Sequence, residues 1–429
     1  MRSVEEQLAT ITANAAMPAP VRIAISESLG LLCAEDVEAE RPLPGFVQSA
    51  IDGYAVRAVD VRGDSPDAAA PAGGVRFEAG SRIDFHEVQL PVVGEVTAGS
   101  HHPLRLQPKQ AVRVHTGAPL PTLADAVLPL DWTDRGERRV TSLRPVRSGD
   151  FIRRVGDDVQ PGDVAVSAGA VISPAQVGLL AAVGRSKVLV HPRPRMSVIS
   201  IGAELVDIDR DPGLGQVFDV NSYALAAAGR DAGAEVHRVG IAAGEPRRIR
   251  DIIEGQLIKS EVLVITGAVG GAAGESVRRV LAELGEVDVG RVAMHPGSVQ
   301  GFGLLGDDRV PTFLLPSNPV SALVVFEVMV RPLIRIALGK SNPRRRTVAA
   351  RAIGPVESVP GRRGYIRGQL MRDRETSEYL VQPLGGAGGA QAHLLAGLAE
   401  ANCLVVVPDE VDHVRPGDVV DVLFLARQS

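Results

Sequence analysis

The chemistry-bearing residues of this chain lie in a few short stretches, most of them rich in glycine. The longest runs from Val262-Leu263-Val264-Ile265-Thr266 into Gly267-Ala268-Val269-Gly270-Gly271-Ala272-Ala273-Gly274-Glu275-Ser276. Four apolar residues in a row predict a buried parallel strand. Val277, Val280, Leu281 and Leu284 then recur at helical spacing. Strand, glycine turn and helix together can hold a phosphate or another anion on backbone N–H groups and a helix N-terminus. The spacing is neither the dinucleotide fingerprint nor the P-loop, whose lysine is missing.

Other stretches leave two readings open. Asp52-Gly53, within Ser49-Ala50-Ile51-Asp52-Gly53-Tyr54-Ala55-Val56, is either hairpin chemistry or a functional carboxylate. Phe151-Ile152-Arg153-Arg154-Val155-Gly156-Asp157-Asp158 holds two arginines beside two carboxylates, which suits a metal and oxyanion site or a charged turn. His101 and His102 precede Pro103 without a third ligand and read as surface residues.

The elements that position these groups follow from periodicity. Residues 1–40 read as helix, with Val4, Leu8 and Ile11 on one face, up to the stiff break Pro42-Leu43-Pro44-Gly45-Phe46. Residues 57–150 hold short alternating runs, which predict a β-rich segment. A helix is expected from Ser173 to Val183, capped by Ser173 with Pro174 at its first position. From about residue 190, strands at 197–201, 236–242, 262–266 and 287–294 alternate with helices at 222–232, 246–257 and 277–284. A hairpin turns at Gly306-Asp307-Asp308, and Asn318 with Pro319 opens a further helix. This pattern is an open α/β sheet, whose ligands bind beyond the carboxyl ends of the strands. The loops at 200–205, 242–246, 266–276, 294–301 and 316–321 can therefore line one crevice, with the glycine loop at its middle. Five strands at 347–353, 364–371, 379–384, 403–407 and 418–424 predict a terminal β-barrel or sandwich.

Composition bounds the function classes. A chain of 429 residues needs two to four domains, and 45% hydrophobic with 23% charged residues is globular. A net charge of −5 argues against nucleic acid as a partner. Arg344-Arg345-Arg346 and Arg362-Arg363 read as solvated linkers. Cys33 and Cys403 are far apart among apolar neighbours and read as buried thiols of a reducing compartment. Glu5 and Glu6 stand where a signal peptide would need an apolar core, and Glu327 interrupts the longest apolar run. A cytoplasmic protein without direct membrane insertion is expected.

Taken together the motifs resemble the MoeA/gephyrin family, the molybdopterin molybdenumtransferases. Ser49-Ala50-Ile51-Asp52-Gly53-Tyr54-Ala55 is similar to S-A-M-D-G-Y-A, Thr116-Gly117-Ala118-Pro119 to T-G-A-P, and Gly156-Asp157-Asp158 to G-E-D. Leu315-Pro316-Ser317-Asn318-Pro319-Val320-Ser321-Ala322 is similar to L-P-G-N-P-V-S-A. The resemblance implies a homodimer of multidomain α/β plus β subunits. A discontinuous helical domain would span 1–40 and 151–189, with a β-rich arm at 41–150 inserted in it. A doubly wound α/β (MogA-like) domain would follow at 190–340, then a C-terminal β-barrel at 341–429. The implied activity is molybdenum cofactor biosynthesis: insertion of molybdenum from molybdate into adenylylated molybdopterin, with release of AMP and with Mg²⁺ or another divalent cation. Asp52, Asp158 and Glu204 would be catalytic, the first two also binding the metal. Asp52, Thr116 and Asp158 would face the partner's crevice. That crevice would be lined by Asp219, Asn221, Thr266, Gly267, Glu275, Pro296, Gly297, Asn318, Pro319 and Ser321.

The chain also departs from the family pattern. T-G-D-E-L is Ile201-Gly202-Ala203-Glu204-Leu205, K-P-G-K-P is His295-Pro296-Gly297-Ser298-Val299, and the second serine of the glycine loop is absent. An anion site without the two lysines lacks charge-assisted contacts. A second reading therefore stands beside the transferase: a gephyrin-like dimeric scaffold that binds a short peptide tail of a membrane receptor or of a cytoskeletal (cell-division) protein.

Overall fold

A computed structural model describes residues 1–61, 87–102, 104–242, 245–384 and 395–425, without the side chains of residues 271–273. Part of the β-rich segment (62–86), Pro103 and two residues of the predicted 242–246 loop lie outside the described residues. The chain forms two compact units. One comprises Met1–Arg22, Gly30–Ala34 and Leu189–Ser429, the other Ile23–Leu29 and Glu35–Val188.

The first unit is built on a six-stranded sheet. Its spatial order is Glu235–Ala242, Arg195–Ile201, Val262–Thr266, Val310–Leu315, Val299–Leu305 and Gly285–Arg291. The first four strands are parallel. Val299–Leu305 runs against them and Gly285–Arg291 reverses again, so the latter points the same way as the parallel four. Alternation along the strands divides the sheet into two faces. Met196, Val198, Val262, Val264, Phe313 and Leu315 bury one face beneath Leu225 of helix Val220–Ala232, Val324 of helix Pro319–Val325 and Leu333 of helix Arg331–Ala337. Ile199, Ile201, Leu263, Ile265 and Leu314 bury the other beneath Ile249 and Ile253 of helix Pro246–Leu257 and Val277 and Leu281 of helix Gly271–Leu284. Helices on both faces make the domain doubly wound.

The same unit holds a closed barrel. Strands Arg363–Arg372, Tyr379–Pro383, Thr347–Ala352, Val419–Phe424 and Cys403–Val407 pair in that order, and the last returns to the first. Closure removes sheet edges. Val381, Cys403, Val405 and Val422 fill the interior. Met294–His295 adds to the barrel by pairing with Arg363 and Gly364.

The second unit centres on a five-stranded sheet ordered Ala126–Pro129, Gly53–Val56, Ala111–Val114, Val88–Val96 and Arg139–Ser142. Helix Pro174–Ala182 opens on a capping box between Ser173 and Gln176. Two short ribbons, Gln48–Ser49 with Ile152–Arg153 and Val37–Glu38 with Val164–Val166, complete it.

Two expectations need correction. The N-terminal helix is short: it covers Val4–Thr12, and strand Val21–Ala24, a 3₁₀ turn at Ile25–Glu27 and two further short strands replace the rest. Pro18, Pro20 and Gly30 break the helical hydrogen-bond ladder. The predicted face holds, since Val4, Leu8 and Ile11 are buried against the α/β domain. Arg345 is not a solvated linker residue. It is nearly buried and ion-paired to Glu327 at 2.7 Å and Asp231 at 2.8 Å, and Asp231 also binds Arg331 at 2.8 Å. Both cysteines are buried and unpaired with one another.

Candidate functional site

The candidate residues gather into two sets, one in each unit. In the α/β domain the parallel strands end at Ile201, Ala242, Thr266 and Leu315 on one edge, with Thr266 in the interior of the sheet. Gly267 follows at φ +86°, and a Cβ there would stand 1.9 Å from the Ile201 carbonyl oxygen. Only glycine lets the turn leave the sheet at that point. Helix Gly271–Leu284 begins without a side-chain cap, so its first N–H groups have no partner of that kind.

Behind this loop runs a buried polar chain. The Ser200 hydroxyl donates to Asp219 Oδ1 at 2.8 Å, and the Thr266 hydroxyl donates to Ser200 Oγ at 3.3 Å. Asp219 caps helix Val220–Ala232 by accepting from the Ser222 N–H at 3.0 Å, and its second oxygen accepts from the Ser222 hydroxyl. Asp219, a predicted substrate residue, thus spends both oxygens inside the fold and shapes the turn that carries Asn221. The Asn221 amide N–H donates to the Ser317 carbonyl at 2.7 Å, a contact across 96 residues. Its carbonyl oxygen Oδ1 is buried without a hydrogen-bond partner.

The remaining crevice residues adjoin that contact. Asn318 caps its helix by accepting from the Ser321 N–H at 3.0 Å, with Pro319 at the first position. Gly297 takes φ +92° and lies against this helix: a Cβ would meet Val325 at 2.3 Å and the Ser321 carbonyl at 3.4 Å. Pro296 and Gly297 are thereby brought beside Ser321. His295, one residue earlier, is held below the ordinary imidazole range by burial first and by the Arg362 charge second. It therefore favours the neutral ring and supplies no fixed cation. Glu204 is exposed on the loop after Ile201, and its carboxylate folds over Gly202, within 2.7 Å of where a Cβ would stand. Glu275 projects into solvent and pairs along its own helix with Arg279 at 3.1 Å.

In the other unit, Ser49 and Ala118 are hydrogen-bonded through their backbones, as are Gly117 and Ser49. This lays Thr116-Gly117-Ala118 along the chain before Asp52. The Thr116 N–H and hydroxyl both donate to Asp52 Oδ1, at 2.7 and 2.8 Å. Those two bonds, the N–H first, hold the Asp52 carboxyl below its usual range, so it is ionised at neutral pH. Asp158 is exposed, and its N–H donates to the Leu43 carbonyl. That bond sets Asp158 beside Leu43, while Asp52 lies three residues past Ser49. Among the described residues no group of three or more His, Cys, Asp or Glu side chains is placed to hold a metal.

Sequence reasoning did not single out Ser200, Ser222, Asp207 or Arg238, which carry the polar chain behind the crevice. Ser200 had a signal, a hydroxyl inside the apolar run Val198-Ile199-Ser200-Ile201. His101 and His102 are exposed, as expected. A cavity of about 530 Å³ is lined by Met1, Arg2, Glu6, Thr10, Asp288 and Phe302, none of them a candidate residue. No helix of the described residues is long and apolar enough to cross a membrane.

Known proteins share this organisation. The family model of the MoeA N-terminal region (domain I and II) matches residues 2–184, and that of a probable molybdopterin binding domain matches 197–336. The MoeA C-terminal region (domain IV) matches 349–425. Molybdopterin molybdenumtransferase 1 of Mycobacterium tuberculosis is 66% identical, with 100% of each chain covered. Molybdopterin molybdenumtransferase 2 of the same organism is 35% identical over 98% of this chain and 99% of its own. The crystal structure of a molybdopterin biosynthesis MoeA protein from Pyrococcus horikoshii superposes with a TM-score of 0.76 at 29% identity, covering 99% of both chains. With its domain order, sheet topology and motifs in register along the whole length, the chain belongs to the MoeA family of molybdopterin molybdenumtransferases.

Proposed function

We propose that the protein completes molybdenum cofactor assembly: it cleaves adenylylated molybdopterin, releases AMP and inserts molybdenum from molybdate into the dithiolene. The observation that carries the reading is the buried Asn221 Oδ1, a polar atom without a partner at the edge where the strand-end loops converge. Buried polar atoms in native folds are almost always satisfied. A pterin, rich in N–H donors, is a fitting partner for it. Glycines at 267 and 297 let two of the strand-end loops pack tightly, against the Ile201 carbonyl and against Val325, and the uncapped start of helix Gly271–Leu284 suits a phosphate or molybdate oxygen.

On this reading Asn221, Thr266, Gly267, Pro296, Gly297, Asn318, Pro319 and Ser321 bind the substrate. Asp219 acts through the turn it caps, Glu275 lies at the rim, and Glu204 is the crevice-side carboxylate that orients water or substrate. The donor chemistry fits a magnesium ion at Asp52. One carboxylate oxygen is committed to Thr116, the group is ionised, and the other oxygen is a hard ligand facing solvent. Asp52 and Asp158 would hold the ion, which when bound supplies Lewis acidity at phosphorus.

The reading includes a cytoplasmic homodimer in which Asp52, Thr116 and Asp158 of one copy serve the crevice of the other. It also includes the four domains bounded as above. The scaffold alternative rests on substitutions alone, and the transferase relative at 66% identity favours catalysis. The test is turnover by the purified protein of adenylylated molybdopterin and molybdate, followed as AMP release and molybdenum insertion.

A further inference from the structure

The loop from Gly202 to Asp219 joins two elements of the crevice, strand Arg195–Ile201 and helix Val220–Ala232. Its stem pairs Leu205–Val206 with Val217–Phe218, and the Val217 N–H donates to the Glu204 carbonyl at 2.8 Å. The position of Glu204 therefore depends on the position of the loop. Packing does not fix it, because no residue from Ala203 to Phe218 is buried, and Ile208, Leu214, Val217 and Phe218 are all exposed. A sixteen-residue excursion with no fully buried apolar anchor is expected to open locally at little free-energy cost.

One side-chain clasp opposes that opening. Asp207 Oδ1 accepts from the Tyr223 hydroxyl at 2.6 Å, and the Arg238 guanidinium donates to Asp207 Oδ2 at 3.2 and 3.3 Å. Arg238 stacks on the Tyr223 ring at 4.0 Å and donates to the Ser222 hydroxyl at 3.1 Å. Ser222 in turn binds Asp219. A continuous chain of contacts thus links the loop through Arg238 to the Asp219 cap, Ser200 and Thr266. The fork geometry matters, because three donors of one planar group meet two residues at once.

We propose that Asp207 and Arg238 are positioning residues: they clasp the 203–218 loop against the start of helix Val220–Ala232, and so hold Glu204 in register with the turn that carries Asn221. The proposal rests on the reading of the crevice as the pterin site. It identifies two groups that neither touch the reacting atoms nor belong to the matched motifs.

The test uses the full chain and the variants Arg238→Met, Arg238→Lys and Asp207→Asn. Two quantities are read: the rate of trypsin cleavage after Arg210 in the loop, and kcat and KM for adenylylated molybdopterin. Arg238→Met should speed cleavage after Arg210 about tenfold and lower kcat/KM about tenfold, the effect of losing one charged hydrogen-bond set. The melting temperature should stay within about 2 °C, since no residue of the loop is fully buried. Arg238→Lys should recover little, because an ammonium cannot reproduce the fork. Asp207→Asn, at a half-buried site where misfolding is no concern, should reproduce the faster cleavage. Cleavage and kcat/KM unchanged in both Arg238→Met and Asp207→Asn overturn the clasp. Faster cleavage with unchanged kcat/KM in an active enzyme overturns its role in the reaction. A wild-type protein without turnover refutes the pterin reading, and the cleavage ratio then judges the clasp by itself.

Discussion

Asp52 shows how much of a residue's role lies in its immediate bonds. As a sequence feature it was an Asp-Gly dipeptide, consistent with a plain hairpin. In the fold it accepts twice from Thr116, 64 residues away, and so stays ionised with one oxygen unused. Asp52→Asn keeps the acceptor for Thr116 and removes only the charge. The variant should fold with an unchanged melting temperature, lose about a hundredfold in molybdenum insertion, and require more Mg²⁺ for half-maximal binding by calorimetry. An unchanged Mg²⁺ requirement would remove Asp52 from the metal site. Asn221 is a contrasting case: the family resemblance implies it as a crevice residue, but nothing in the sequence announces its unpartnered oxygen, because that depends on the Ser317 carbonyl 96 residues on. Asp207 and Arg238 carry no signal in the sequence for the same reason, since each acts through partners distant along the chain.

Among the elements, regular alternation made strands and helices legible where one period ran long enough. Helix Pro246–Leu257 matches the bounds its periodicity predicts, and Ser173 and Asn318 cap the helices expected of them. The N-terminal segment was over-read because Val4, Leu8 and Ile11 set a helical period that Pro18 and Pro20 then cancel. Charge runs were read as solvent-facing, yet Arg345 bridges Glu327 and Asp231 and so ties the chain entering the barrel to two elements of the α/β domain. Burial opposes its charge, while the bonds and charges of Glu327 and Asp231 together more than offset that and raise its pKa. Arg345→Ala should destabilise the protein by about 3 kcal/mol in urea titration, since it leaves a nearly buried carboxylate with a weaker partner. A change below about 0.5 kcal/mol would show the cluster to be a surface pair in effect.

The barrel carries a second electrostatic signature. Burial raises the Cys403 thiol from 9.0 to about 12. The unfolded chain ionises this thiol first, so above pH 9 it binds fewer protons than the native state, and stability falls as pH rises. The contribution is intact below pH 9 and should decline by about 1.4 kcal/mol per pH unit towards pH 12. Cys403→Val should lack that part of the slope in parallel denaturation curves, and identical slopes for the two proteins would contradict it.

At the scale of the molecule, the architecture was legible because each domain announces itself by a different period. The α/β domain shows continuous apolar strands, and the terminal barrel shows short alternating ones. Barrel closure through Arg363–Arg372 and Cys403–Val407 could not be separated from a sandwich by periodicity, since both bury alternate residues. Family membership followed from motif order, whereas the chemistry depends on whether the crevice works without the family's lysines. The proposed reading is supported by what is retained: the turn at Gly267, the Asn318 cap and the unpartnered Asn221 oxygen. The decisive measurement is a single-turnover assay with purified protein, adenylylated molybdopterin, molybdate and Mg²⁺, comparing the wild type with Asn221→Ala. The account predicts AMP release coupled to molybdenum insertion by the wild type, and pterin affinity at least about tenfold weaker in the variant. Absence of AMP release from the wild type, or pterin binding indifferent to Asn221, would contradict it.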